Sequence, residues 1–412
     1  MSAVIARPAA APPELDGAQP GSDRWWRALA HRGAPLREPA EGDSQWVTFC
    51  WRQPHDRATE HSATRAVFID VYSHTPHPVH QGPTALQQLA GTDLWYWRAR
   101  LPRDWCGSYF FAPATEEDLP VPEPLGERRR WWIDLIERRA RADVLNPEPP
   151  HNGGWGQPLS GIYPQAPRYP EAEPAGERVE HRWQSPRLSR ARRTWLYRPR
   201  PSAGPLPLVL LLDGHYWIKQ RGLLAQLDQL TASGELPPAA YLFIDSIDGA
   251  ARGEELPCNA AFWLALQEEL LPALEQRAAL SRDPARTLVA GQSFGGLAAV
   301  YAALHWPQRF GLAFSQSGSF WWPDIDDCGS GGQLAQQLRD GGVAETNKQK
   351  NKPRFLLEIG QYESDMLADN RALRDALAAA GCEVHYREFA GGHDWLCWRR
   401  GLLAGIAELL QE

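Results

Sequence analysis

RTLVAGQSFGGLAAVYAALHW, residues 286–306, passes from a short apolar run through a glycine-flanked serine into apolar residues at helical spacing. Gly291-Gln292-Ser293-Phe294-Gly295 is a G-x-S-x-G pattern. The run before it reads as a buried strand, and Leu297, Val300, Tyr301 and Leu304 after it mark one helix face. A strand-turn-helix elbow forces its serine into a strained backbone conformation and exposes the hydroxyl. The flanking glycines leave room for that turn, and the helix N-terminus behind Ser293 adds positive potential. The Phe294 amide can then donate to an oxyanion.

Outward from the elbow, the second half alternates strand and helix. PLPLVLLLDG (205–214), YLFIDSID (241–248), FGLAFSQSGS (310–319), RFLLEIG (354–360) and EVHYREF (383–389) read as strands. Residues 259–280, 365–381 and 396–410 read as helices. Such alternation implies a parallel sheet covered on both faces, and with the elbow it predicts an α/β-hydrolase domain over 178–412. The first half differs. QWVTFCWR (45–52), AVFIDVYS (66–73), LWYWRARL (94–101) and SYFFAP (108–113) are β-branched and aromatic runs separated by turn residues, which predicts a β-sandwich domain over 23–150. Residues 128–145 read as a helix. Residues 151–177, dense in Pro and Gly, read as a linker, and 1–22, broken by prolines and lacking the apolar core of a signal peptide, as a disordered tail.

A serine hydroxyl needs a base, and on this fold the order along the chain is Ser, acid, His. Downstream lie His305, at the end of the elbow helix, His385, within a strand, and His393, in FAGGHDW between the last strand and the last helix. A loop at the carboxyl edge of the sheet suits His393 as general base. The acid that orients the imidazole should follow RFLLEIG, where GQYESDM offers Glu363 and Asp365, with Glu363 favoured. A second oxyanion donor is expected from Asp213-Gly214-His215, as the backbone amide of Gly214 or His215; His215 could also touch substrate. Arg252, in GAARGEELPCN (249–259), is a candidate for anionic substrate groups or a partner of Glu254 or Glu255. Arg187, Arg190, Arg192 and Arg193 are expected on an exposed strand face.

Composition narrows the function. The 412 residues carry 43 basic and 50 acidic side chains, a net charge of -7, which argues against nucleic acid as a partner. No apolar run reaches the roughly 18 residues of a membrane span. The six cysteines, at 50, 106, 258, 328, 382 and 397, form no C-x-x-C pair, which suits free thiols in a reducing cytoplasm. Nineteen tryptophans against two methionines are expected mostly in cores, with some left for a flat aromatic ligand.

VAGQSFGGLAAVYAALHWPQRFGLAFSQSGSFWWP (289–323), ELPCNAAFWLALQEELLP (255–272) and GGHDWLCWRRGLLAGI (391–406) resemble the enterochelin (enterobactin) esterases. The resemblance extends upstream through LLDGHYW, RRTWLY and DVLNP to AGTDLWYWRARLPRDWCGSYFFAP (90–113). It implies an esterase D-like α/β-hydrolase domain behind the family's own N-terminal domain, and a cytoplasmic enzyme that opens the trilactone of ferric catecholate siderophores. It places the nucleophile on Ser293, the histidine on His393 and an acid at Glu363, and raises Arg252 as a ligand residue. It implies no cofactor, the iron being carried by the substrate. A ferric triscatecholate is a compact trianion with flat rings, which aromatic faces and guanidiniums recognise; Trp321 and Trp322, after QSGSF, are candidate ring contacts. The chain departs from the family in DGHYW, where an acidic residue is expected in place of His215, and in the polar loop 341–352. A general acyl or feruloyl-type carboxylesterase and a non-catalytic siderophore- or glycan-binding protein are the competing readings.

Overall fold

The computed structural model describes residues 11–54, 63–154, 156–165, 169–170, 172–200, 204–326, 329–341 and 352–411. By contacts the chain forms two units, Met1–Pro167 with Ala390–Cys397, and Arg168–Phe389 with Trp398–Glu412.

The first unit is a two-sheet sandwich. Its strands are β1 (Leu36–Arg37), β2 (Ser44–Arg52), β3 (Ala66–Val71), β4 (Thr84–Ala85), β5 (Gln87–Gln88), β6 (Leu94–Pro102), β7 (Gly107–Ala114), β8 (His151–Asn152) and β9 (Pro158–Ile162). One sheet has the order β1-β2-β6-β5 and the other β4-β3-β7-β9-β8, paired antiparallel. Val47, Phe49, Leu101, Val67, Ile69, Tyr109 and Phe111, drawn from both sheets, form the core between them. Each outer face is also covered. The helix Asp23–Arg32 packs Trp25, Trp26 and Leu29 on Cys50, Leu94 and Tyr96; the helix Leu125–Arg139 packs Trp132, Leu135 and Ile136 on Phe68, Phe110 and Ala112. Strands buried on both faces read as continuous apolar runs rather than alternating ones, hence AVFIDV and SYFFAP.

Two expectations change here. In the stretch read as a tail, the described part folds: Leu15 and Ala18 exchange backbone hydrogen bonds and are buried in the Trp25–Trp26 cluster, and the Trp25 Nε1–H donates to the Pro13 carbonyl at 2.9 Å. Residues 1–10 lie outside the described residues. The stretch read as a linker contains β8 and β9, which extend the second sheet through β7. PLSGI has weak strand propensity, and pairing with β7 outweighs it.

The second unit is an eight-stranded sheet of β10 (Glu177–Ser185), β11 (Arg190–Arg198), β12 (Leu208–Leu211), β13 (Ala240–Ile244), β14 (Thr287–Gln292), β15 (Leu312–Gln316), β16 (Arg354–Gly360) and β17 (Glu383–Phe389). The order is β10-β11-β13-β12-β14-β15-β16-β17, parallel from β13 onward, with β10 and β11 an antiparallel hairpin on one edge. β12 pairs with β13 on one side and β14 on the other, so the strand order reverses there. Open α/β sheets bind ligands outside the carboxyl ends of strands at such a switch point. The expected helix over 259–280 runs from Ala260 to Glu275, with a π-helical turn at Leu266–Leu270 just before Pro272; proline lacks the N–H that a regular turn would use.

The arginine run is only partly an exposed face: Arg187 and Arg193 are exposed, Arg190 and Arg192 are not. Arg192 is buried and donates to both carboxylate oxygens of buried Glu255 at 2.7 Å; Arg190 pairs with Glu254 and Glu255, and Arg187 with Glu268. Cys50, Cys106, Cys258, Cys382 and Cys397 are free thiols; Cys328 and residues 342–351 of the polar loop lie outside the described residues.

Candidate active site

Ser293 lies between β14 and the helix Phe294–His305, with φ 58° and ψ −120°. For a non-glycine residue this region costs on the order of 1–3 kcal/mol, held in place by the surroundings. Those surroundings are tight. A Cβ on Gly291 would overlap the Gly295 backbone, and one on Gly296 the Ser315 hydroxyl. The Ser293 N–H donates to the Gln316 carbonyl at 3.0 Å, and its own carbonyl accepts from the Ser319 N–H at 3.1 Å. Backbone on both sides is thus spoken for, while the hydroxyl has Ser319 Oγ at 3.3 Å.

A row of buried amides underlies the elbow. Trp217 Nε1–H donates to Gln292 Oε1 at 3.1 Å, Gln292 Nε2–H to Gln316 Oε1 at 3.0 Å, and Gln316 Nε2–H to Glu358 Oε2 and the Trp398 carbonyl, both at 3.0 Å. The links Gln292–Gln316 and Gln316–Glu358 join neighbouring strands near their carboxyl ends, and Trp217 and Trp398 extend the row onto the helices Gly214–Trp217 and Trp395–Gln411. Satisfied buried networks of this kind rigidify a site. Sequence reading missed them, because nothing marks Gln292 and Gln316 as partners before the β14–β15 register is known.

At the end of β12, Asp213 takes a left-handed conformation at φ 54° and is buried. A Cβ on Gly214 would strike the backbone of Phe243 and Ile244, so this turn admits only glycine. Asp213 accepts from the Arg252 Nε–H and Nη2–H, each at 2.8 Å, and from the Ser246 hydroxyl at 2.5 Å. Burial alone would raise its carboxyl, but the Arg252 guanidinium outweighs that and holds it below the usual carboxylate range. The sequence offered Glu254 or Glu255 as partners for Arg252; both are taken by arginines of β11, and Asp213 is the partner instead. Arg252 also donates to the Gln292 carbonyl at 3.1 Å and lies over the Phe294 ring, 5.8 Å from its centroid. His215 is within 3.2 Å of Asp245.

Phe294 in turn meets Trp321 at 5.6 Å and Trp322 at 5.7 Å between ring centroids. Both tryptophans are half-buried, unlike Trp217 and Trp263 in the core. Trp321 also lines a cavity of about 180 Å³ with Ser330, Gln333, Gln336 and Arg339.

Glu363 follows β16 and is buried; its Oε1 accepts from the Ser317 hydroxyl at 2.6 Å and the Gly360 N–H at 2.9 Å. Ser317, itself at φ 50°, also accepts from Trp398 Nε1–H at 2.9 Å. The side chain of Asp365 lies outside the described residues. His305 stacks on Tyr301 with its pKa lowered by burial, and His385 pairs with Glu408 at 2.6 Å, so both have structural settings. His393 belongs to the first unit. Its N–H donates to Ser73 Oγ at 3.0 Å. The second unit therefore brings together Ser293, Phe294, Gly214, Arg252, Trp321 and Trp322 around the ends of β12 and β14, and holds Glu363 at the end of β16.

Two family models match the chain, Esterase over residues 185–409 and the N-terminal domain of enterochelin esterase over 46–172. The iron(III) enterobactin esterase of Dickeya dadantii is 41% identical, the alignment covering 96% of this chain and 94% of that protein. An enterobactin esterase from Shigella flexneri, solved in the presence of enterobactin, is 38% identical with a TM-score of 0.81 over 96% of this chain and 99% of that one. The ferric enterobactin esterase of Salmonella typhimurium is 37% identical with a TM-score of 0.84, covering 95% and 99%. Among the described residues no helix is long and apolar enough to cross a membrane.

Proposed function

Because the chain belongs to the iron(III) enterobactin esterase family along nearly its whole length, we propose that it hydrolyses the trilactone esters of ferric enterobactin-type catecholate siderophores, releasing iron in the cytoplasm. The observation that carries the chemistry is the left-handed Ser293 at the strand-helix elbow. It supports reading Ser293 as the nucleophile of a carboxylic ester hydrolase.

In this reading Ser293 Oγ attacks a serine-lactone carbonyl as His393 takes its proton. The oxyanion that forms accepts from the Phe294 amide and from the amide of Gly214. His393 returns the proton to the departing serine hydroxyl of the opened lactone. Water, deprotonated by the same imidazole, then attacks the acyl-enzyme and frees Ser293. Glu363 orients the imidazole and stabilises its charged form. Trp321 and Trp322 offer faces to the catechol rings, while His215 and the Arg252 edge not engaged by Asp213 meet the anionic oxygens. No resident cofactor has a part in these steps; iron arrives as cargo of the substrate.

The test is to incubate wild type and Ser293→Ala with ferric and iron-free enterobactin and to separate the products by liquid chromatography with mass detection. Wild type should release dihydroxybenzoyl-serine trimer, dimer or monomer, and the variant should be slower by roughly 10⁴-fold or more. If wild type leaves both forms intact yet cleaves a simple aryl ester, the siderophore assignment fails and a general acyl esterase takes its place.

A further inference from the structure

Residues Ala390–Cys397 continue directly from β17 of the second unit, yet they pack with the first. This short segment holds His393, and it is tied to the sandwich along its length. The Cys106 N–H donates to the Ala390 carbonyl at 3.0 Å, and Cys397 Sγ–H to the Cys106 carbonyl at 3.1 Å. Between these ends, Asp394 is buried and accepts from the Ser108 N–H at 2.5 Å and the Ser108 hydroxyl at 3.0 Å. Ser108 in turn has His151 Nε2 at 2.9 Å.

The tie nearest the histidine is Ser73. It lies in the tight turn after β3, where Thr75 Oγ1–H donates to the Val71 carbonyl and to Asp70. Its φ is 60°, a conformation that disfavours serine and suits glycine. Strain retained at one residue points to a role for its side chain. That side chain accepts the His393 N–H at 3.0 Å and packs against Gly392, where any Cβ would overlap it.

We propose that the sandwich unit is a positioning element of the reaction, with Ser73 and the Ser108–Asp394 pair fixing the backbone on either side of His393. The proposal rests on His393 being the general base for Ser293. Removing a sandwich side chain outside the proposed triad should then slow the chemical step.

Ser73→Gly is the sharpest test, because it deletes the hydroxyl while relieving the left-handed backbone, so the fold should be no less stable. The expected result is a kcat on the order of tenfold lower, KM within twofold, a melting temperature equal or higher, and fluorophosphonate labelling of Ser293 slowed by the same factor as kcat. A kcat and labelling rate within twofold of wild type would overturn the proposal, as would a rise in KM alone, which would make Ser73 a substrate contact. His393→Ala separates this from the reading beneath it. If that variant keeps its labelling rate and turnover, His393 is not the base and the function assignment to it falls; if it loses both while Ser73→Gly does not, only the positioning role falls.

Discussion

The turns around Ser293 and His393 are both short and flanked by glycine, yet they are fixed by different means. Ser293 is over-determined by backbone: strand β14 before it, a helix after it, amide bonds to neighbouring strand ends, and glycines where a Cβ would collide. His393 lies on a segment with no strand partner of its own, held by side chains of Ser73 and Ser108 from far along the chain. The first arrangement is local and reads out of a pentapeptide. The second depends on tertiary contacts at sequence separations of 320 and 286 residues. A candidate nucleophile can therefore be picked out from a motif, while the setting of the proposed base is visible only once the chain is folded.

The contrast can be broken from either side. Gly291→Ala attacks the backbone-fixed turn, since the new Cβ would overlap the Gly295 carbonyl. It should cost several kcal/mol, on the order of the larger overpacking penalties, and show as loss of soluble protein or a fall in melting temperature of 10 °C or more on the scale of roughly 2–4 °C per kcal/mol. A stable, active Gly291→Ala protein would mean the elbow is softer than its geometry implies. Glu363→Gln addresses the proposed acid: it keeps the shape and should lower kcat by about 10²–10⁴-fold, as wrong-tautomer variants do, whereas Asp365→Asn should stay within about threefold. If the two effects are reversed, Asp365 is the acid.

The smallest effect is expected from the sandwich side. Burial pushes the Asp70 carboxyl up to about 7, against the Thr75 hydrogen bond that lowers it, with Asp394 adding to the rise. Its folded pKa lies above the unfolded one, so its contribution to stability is present below about 4 and is lost as pH rises through about 7. Asp70→Asn should therefore flatten the decline in melting temperature between pH 5 and 8, by a few degrees. Equal slopes for variant and wild type would show that Asp70 does not titrate in this range.

Both domains, the parallel sheet and the candidate residues of the elbow were legible in the sequence, because hydrophobic periodicity and glycine placement are local signals. What escaped it was decided by partners. The charges of β11 read as an exposed strand face, and the Arg192–Glu255 pair is what lets Arg192 be buried there. β9 forms because β7 offers an edge. The sequence marked Asp213 only through its oxyanion loop and offered Glu254 or Glu255 as partners for Arg252; the fold joins Asp213 to Arg252 instead.

The division of the chain also has a consequence for synthesis. The sandwich is completed by Ala390–Cys397, which the ribosome makes about 220 residues after Pro167, some tens of seconds later at roughly 5–20 residues per second. Throughout that interval the N-terminal unit lacks the segment that accepts from Ser108 and donates to Ser73, and it must wait, nearly finished, for residues made long after it.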